Sequence, residues 1–410
     1  VSRPRTSVFL YPWDVLGDPD APHRIAELGV QQVTLAAAYH STRALTPRHP
    51  RHRVITARHS AVLYPPSAGH WAGHRMRPRP QAWLPSADPW HEAAEALSAA
   101  GLDVHSWVVL AHNSLLGQEH PDVQVRNAYG DGYPWALCVA RPEVLRYAVA
   151  LAAEAGARPG AAGTELESCG WYGLAHLHAH DKIAGVPLGG AAGYLMSLCF
   201  CGTCRAGYAG LGADPDELRR AVRAGLGPGW AGERGPGPDD RSGEWAEVER
   251  LLGADAAALT LSWRREVASG FQRAVVAAVR AAAGAAGFQV LLHADPAPHR
   301  CGANVGVDPV DVLAHADGVV LPCTGGAAER EAVLGPFGGR RHVDGRTPGG
   351  RRAVIAANLT IVSGMGGSPH TLAADAAHAV ELGATELRLY HAGLACDADL
   401  AAVRKALSAG

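Results

Sequence analysis

Little in this 410-residue sequence is charged in excess: the formal net charge at pH 7 is −2. No pull toward nucleic acid or an anionic membrane is therefore expected. No stretch approaches 18 uninterrupted apolar residues, and the opening VSRPRTSVFLYPW lacks an apolar run ending in a small-residue cleavage site. A soluble, cytoplasmic protein with no membrane partner is the expectation. Cysteine is scarce, at eight residues. In a reducing cytosol crowded cysteines point to metal binding or catalysis before disulfides. A glycine-rich phosphate turn after the first apolar run is also missing, since YPWDVLGD stands there. That counts against an open, nucleotide-binding sheet.

Alanine and glycine are abundant, arginine far outnumbers lysine, and hydrophobic residues reach 48%, enough for a large core. Eight short apolar, β-branched runs recur: SVFLYP (7–12), VQQVTLAAAY (30–39), LDVHSWVVLAH (102–112), GTELES (163–168), GFQVLLHAD (287–295), ADGVVLPC (316–323), RRAVIAANLTIV (351–362) and ATELRLYHAG (384–393). Helical stretches separate them, most ending in glycine. Strands alternating with helices require crossover connections and a parallel sheet. Eight such units predict a single (β/α)8 barrel over residues 1–410, with insertions at about 40–90 and 169–250. Both insertions leave the C-terminal ends of strands, the face that carries active sites in barrel enzymes. The stretch GLGPGWAGERGPGPDDRSG (225–243) reads as a flexible loop.

Three cysteines fall within LCFCGTC (198–204): Cys199, Cys201 and Cys204. Cys-x-Cys-x-x-Cys gathers thiolates on a tight turn, and a structural zinc site takes four tetrahedral ligands. Cys138 and Cys169 are both candidates for the fourth. Cys301, Cys323 and Cys396 stand alone, as small buried cysteines usually do.

The pieces CVARPEVLRY (138–147), TELES (164–168) and LCFCGTCRAGYAGLG (198–212) together resemble the glycoside hydrolase family 42 β-galactosidases and their barrel relatives. The resemblance covers roughly residues 100–215. It implies one structural zinc held by Cys138, Cys199, Cys201 and Cys204. It also implies a catalytic glutamate at the end of strand four. The family carries an Asn-Glu pair there, whereas Leu166 precedes Glu167 here. The family's nucleophile is a glutamate ending strand seven, and AVIAANLTIVSG contains no acid. The interval from the fourth-strand acid to the cysteines is also longer. A divergent glycoside-hydrolase-like barrel is the reading, not a β-galactosidase.

Glycosidic cleavage needs an acid to protonate the leaving oxygen and a base or nucleophile across the sugar. Glu165 and Glu167 lie two apart on one strand and share a face, with Glu167 nearer the mouth. Glu167 is the expected general acid, weighed against a structural salt-bridge role. Asp295, ending LLHAD, is the expected partner, weighed against a turn-forming Asp-Pro. Asp14 suits sugar hydroxyls or a helix cap. Tyr39, His40, Arg43, Trp107, His112, Asn113, Glu165, His293 and His391 complete the expected substrate-binding set. Trp13, Trp135 and Trp171 fall near the same mouth, where indoles stack on sugars or simply fill the core. The arginine- and histidine-rich segment 39–60 contains no acid. It is read either as an anion pocket, for an acidic or phosphorylated sugar, or as a solvated basic loop. HLHAHD (176–181) is read as a metal site or a solvated loop.

The expected substrate is thus a small molecule or oligosaccharide, with no nucleic acid partner. Two other functions compete. One is a metal-dependent hydrolase or isomerase using His293, Asp295 and His391. The other is a carbohydrate-binding barrel without catalysis. Nothing in the sequence assigns an oligomeric state.

Overall fold

The computed structural model describes residues 3–175, 182–186, 188–233, 240–284, 287–338 and 352–409. Eight strands form the centre: β1 (Arg5–Leu10), β2 (Gln32–Tyr39), β3 (Asp103–Val109), β4 (Gly163–Glu167), β5 (Gln289–Asp295), β6 (Gly318–Pro322), β7 (Val354–Thr360) and β8 (Glu386–Tyr390). Each pairs in parallel with its neighbour, and β8 pairs back onto β1, so the sheet closes into a barrel. All eight expected strands are present, seven of them shorter than the expected runs, while β1 starts two residues before its run and ends two residues before it does.

Helices α1 (Ala21–Ala26), α2 (Pro89–Ala99), α3 (Pro142–Leu151), α4 (Ala254–Ala283), α5 (Pro309–His315), α6 (Ala327–Gly338), α7 (Leu372–Glu381) and α8 (Asp397–Ala409) follow the strands in turn. Local chemistry sets their starts. Asp88 and Asp308 accept hydrogen bonds from first-turn N–H groups of α2 and α5, and a proline follows each cap. Apolar side chains of these helices and the outward strand faces form the main core, including Leu10, Ile25, Trp90, Val104, Leu166, Phe271 and Leu389. No helix among the described residues is long and apolar enough to cross a membrane.

The insertions are more ordered than expected. Within 40–90, Thr42–Leu45 and Val54–Ala57 form an antiparallel hairpin, and Ala61–Val62 pairs antiparallel with the end of β2. Within 169–250, helices span Gly190–Met196, Gly202–Gly210, Pro215–Trp230 and Glu244–Leu252. The segment 225–243 is thus not a loop throughout. Its first residues end helix Pro215–Trp230, which buries Leu218, Val222 and Leu226 at helical spacing and holds Pro228 in its last turn. A further excursion between β3 and α3 carries the antiparallel pair Gln124–Arg126 and Gly132–Leu137.

Candidate functional site

Side chains alternate along each strand, so every second residue points into the barrel. On β4 these are Glu165 and Glu167, and their environments differ sharply. Glu165 is fully buried. Its Oε1 accepts from Arg388 Nε at 2.6 Å and from Thr34 Oγ1 at 3.1 Å. His105 Nδ1 lies 3.7 Å from Oε1, and His293 Nε2 lies 3.4 Å from Oε2. Burial alone would raise this carboxyl, yet Arg388 with the two histidines holds it well below the usual range. Arg388 also donates to Glu386 at 2.9 Å. An ionic layer therefore crosses the barrel interior beneath Glu167.

Glu167 sits one pleat higher and is 8% exposed. Its Oε2 accepts from the Trp107 indole N–H at 2.8 Å. The indole is itself fixed edge-on by Phe9, at 4.9 Å between centroids, and by Tyr39, at 4.6 Å. Tyr11 and Tyr390 pack beside the same indole. Burial pushes the phenols of Tyr11, Tyr39 and Tyr390 up, so they remain neutral hydroxyls. The chain leaves β4 through Ser168, whose φ of 53° turns it sharply after the acid.

Above this floor the expected rim residues assemble. His40 stacks on Tyr39 at 4.1 Å and meets His112 edge-on at 4.9 Å. His112 stacks on Tyr172 at 4.3 Å and pairs through Nδ1 with the Trp135 carbonyl at 2.8 Å. Burial lowers His40, which is therefore neutral. His391, fully buried, stacks on Tyr11 at 4.3 Å. Burial, with Arg48 adding to it, lowers its ring to about 3.

Asp295 ends β5, the strand beside β4. Leu292 pairs with Leu166, so Asp295 and Glu167 emerge at the same end of adjacent strands. Asp295 is 4% exposed, accepts from Ala297 N at 2.8 Å, and is contacted by the Arg241 guanidinium from the long insertion. Glu244, three residues on, binds His299 Nε2 and Arg300 Nη2 of the β5–α5 connection, each at 2.9 Å. Asp14 accepts from Tyr11 N at 2.8 Å, and burial pushes its carboxyl up to about 7 despite that bond and nearby Arg48.

Other expected residues lie apart from the Glu167 carboxylate. Asn113 caps the short helix Ser114–Glu119, accepting from Leu116 N at 3.0 Å. Arg43 is exposed on the hairpin. The basic segment 39–60 largely holds its own backbone. Arg48 donates to the Ala392 carbonyl at 2.6 Å, and His49 Nε2 bonds the Leu16 carbonyl at 2.8 Å. Trp13 is buried under Tyr11, while Trp135 and Trp171 donate to the Gly173 and Arg264 carbonyls. HLHAHD (176–181) lies outside the described residues. His293, Asp295 and His391 do not form a metal-holding group; among the described residues only the four cysteines do.

Those four are Cys138, after strand Gly132–Leu137, with Cys199, Cys201 and Cys204 at the start of helix Gly202–Gly210. All are buried, with sulfurs within 4.8 Å of one another. Cys138 Sγ lies 3.7 Å from both Cys201 and Cys204 Sγ. Thiolates about 2.3 Å from a tetrahedral ion stand about 3.8 Å apart, so the spacing fits. Backbone N–H groups of Arg126 and Cys201 point at Cys199 Sγ, 3.4 and 3.5 Å away. Contact with the other sulfurs, Cys199 first, pushes the Cys138 thiol up, so a cation is what lets all four ionise together. Cys169 is buried elsewhere and is not part of the group.

Arg388, His105, Tyr11, Tyr390 and Arg241 were not anticipated. One signal was readable: Glu386, Arg388 and Tyr390 alternate with leucines along ELRLY, which puts charge on the inner face of a barrel strand.

No protein-family model matches this chain, and no curated protein matches it. Solved structures do. The glycoside hydrolase domain of PgaB (BpsB) from Bordetella bronchiseptica aligns at TM-score 0.59 and 14% identity, covering 99% of each chain. Alpha-L-fucosidase isoenzyme 2 from Paenibacillus thiaminolyticus aligns at TM-score 0.54 and 14% identity over 100% of this chain and 49% of its own. A GH42 β-galactosidase from G. stearothermophilus aligns at TM-score 0.50 and 10% identity over 99% of this chain and 56% of its own. The chain thus spans about half the length of the last two. At such identities the likeness is one of fold, and it is the fold that the cysteine-region resemblance implied.

Proposed function

We propose that the protein is a glycoside-hydrolase-like enzyme that cleaves a glycosidic bond, with Glu167 as general acid. The observation that carries this is the contrast on β4: Glu165 is locked in an ion pair, while Glu167 reaches the mouth on an aromatic floor with its carboxylate oriented by Trp107. In this reading Glu167 protonates the departing glycosidic oxygen. Asp295, on the adjacent strand, serves as base or nucleophile. No acid occupies residues 354–363 at the end of β7, which leaves Asp295 as the partner. Tyr39, His40, Trp107 and His112 contact the sugar, and His391 and Asp14 support the wall behind Tyr11. Glu165 and His293 belong to the ionic layer below and keep a structural role. The cysteine donor set suits a structural zinc, which would brace the two connections that carry it and take no part in the reaction.

The experiment is turnover of a panel of neutral and acidic aryl glycosides. Glu167→Gln is expected to lower activity at least about a hundredfold, the scale of losing a general acid. A near-normal rate removes Glu167 from the mechanism. A second reading, a carbohydrate-binding barrel without catalysis, draws on Arg241 occupying Asp295. It requires that no glycoside is turned over and that Glu167→Gln leaves ligand affinity unchanged.

A further inference from the structure

Alternation along β1 sends Phe9 and Tyr11 into the barrel's aromatic cluster and Leu10 outward into the main core. Leu10 lines a cavity of about 380 Å³, a size suited to a small molecule. The cavity therefore lies behind the barrel wall, between α1 and α8, and none of Glu167, Trp107 and Tyr39 lines it. Ile25, Leu28 and Leu400 give it an apolar side. Its ionic lining is balanced: Asp14, Asp18 and Asp397 face Arg24, Arg48 and Arg404. Arg48 comes from the basic segment that read as an anion pocket or a solvated loop. Arg24 contacts Asp18, Arg48 lies 3.9 Å from Asp397, and Arg404 lies 3.7 Å from Glu27. The charges of the wall thus meet opposite charges before any ligand enters.

That balance selects the ligand. An anion entering here meets three aspartates and an ammonium meets three arginines, so either has to be desolvated and to disturb an existing pair. A hydroxyl brings no charge, and it both donates and accepts. It can take a spare guanidinium N–H or give its proton to a spare carboxylate lone pair while the ion pairs stay intact. Asp14 offers such an acceptor. Its Oδ2 accepts from Tyr11 N, while its Oδ1 is buried and has no hydrogen-bond partner among the described residues. The carboxyl, pushed up to about 7 by burial, is present in both forms near neutrality, and either form can pair with a hydroxyl. The C–H face of a polyol then lies on Ile25, Leu28 and Leu400. We propose that this cavity is a second binding site, for a small neutral polyhydroxy compound such as a monosaccharide. The site stands apart from Glu167 and does not depend on catalysis there.

The test is calorimetric titration of the full chain with glucose and galactose. Glucuronate and galacturonate serve as their anionic counterparts, and protonated glucosamine and galactosamine as their cationic ones. At least one neutral sugar is expected to bind, and its charged counterparts at least about tenfold more weakly. Ala401 lines the cavity and is exposed on α8, so Ala401→Trp puts an indole into the space. That variant is expected to weaken neutral-sugar binding at least about tenfold and to leave turnover of aryl glycosides unchanged. No binding by either neutral sugar overturns the proposal, as does equal or tighter binding of a charged counterpart. Binding that survives Ala401→Trp lies at the barrel mouth and overturns it too. If Ala401→Trp does not fold, Arg404→Ala takes its place with the same expectation, because that side chain is 55% exposed. A failure of the glycosidase reading shows only in turnover and in Glu167→Gln, and leaves these binding results to decide.

Discussion

Two neighbouring side chains show how burial tunes single residues. Asp14 is pushed up to about 7 and His391 is lowered to about 3, and in both burial favours the neutral form. For His391 this has a sign. The unfolded chain takes up the ring proton near 6.5 and the folded protein only near 3, so stability falls as pH drops through that window. Replacing His391 with Gln should flatten part of that loss. The check is the difference in Tm between pH 7 and pH 5, which should be smaller in folded His391→Gln than in the unaltered protein. Asp14 acts oppositely, its contribution weakening stability as pH rises from about 4 to about 7. At this scale the sequence was partly legible. Glu167 and Trp107 could be placed at the mouth from strand position alone. That the Trp107 N–H would orient the acid could not, because it depends on two strands pairing in one register.

At the scale of elements, the barrel strands were legible and the internal structure of the insertions was not. Runs such as VVLAH and VLLHAD are buried on both faces, which leaves an unbroken apolar signature. The hairpin strands TRAL and VITA are four residues each and mostly solvent-facing, so their pattern is lost among basic residues. The strand GYPWAL contains Pro134, which argues against a strand in sequence but is tolerated at an edge. Helix Pro215–Trp230 ends in a glycine- and proline-rich run that reads as loop, although Asp214 caps its start. The cysteine group joins two of these excursions, one after β3 and one after β4. A metal there should act on their stability. Elemental analysis of protein purified without chelators should find about one zinc per chain. Cys201→Ser should lose it and lower Tm by several degrees. Metal-free protein with an unchanged Tm would refute the assignment.

At the scale of the molecule, closing eight strands leaves an interior that must be filled at native density. The ionic layer of Glu165, Arg388, Glu386 and the flanking histidines fills part of it. Glycines fill the tightest places. A Cβ on Gly318 of β6 would lie 2.1 Å from the Val354 carbonyl oxygen of β7. Gly318→Ala should therefore force the two strands apart and destabilise the fold by about 1–3 kcal/mol, read from denaturant unfolding. An unchanged midpoint would mean the ring has slack there. Fold class was legible because it needs only the count and alternation of elements. The filling was not, because it is settled by shear and register that no single strand encodes.

The salt contacts that tie Arg241 to Asp295, and Glu244 to His299 and Arg300, span one sector of the rim, where the fourth and fifth loops meet. Among the described residues the two loops cannot part in that sector without breaking three polar contacts at once, so they are fastened to move as one.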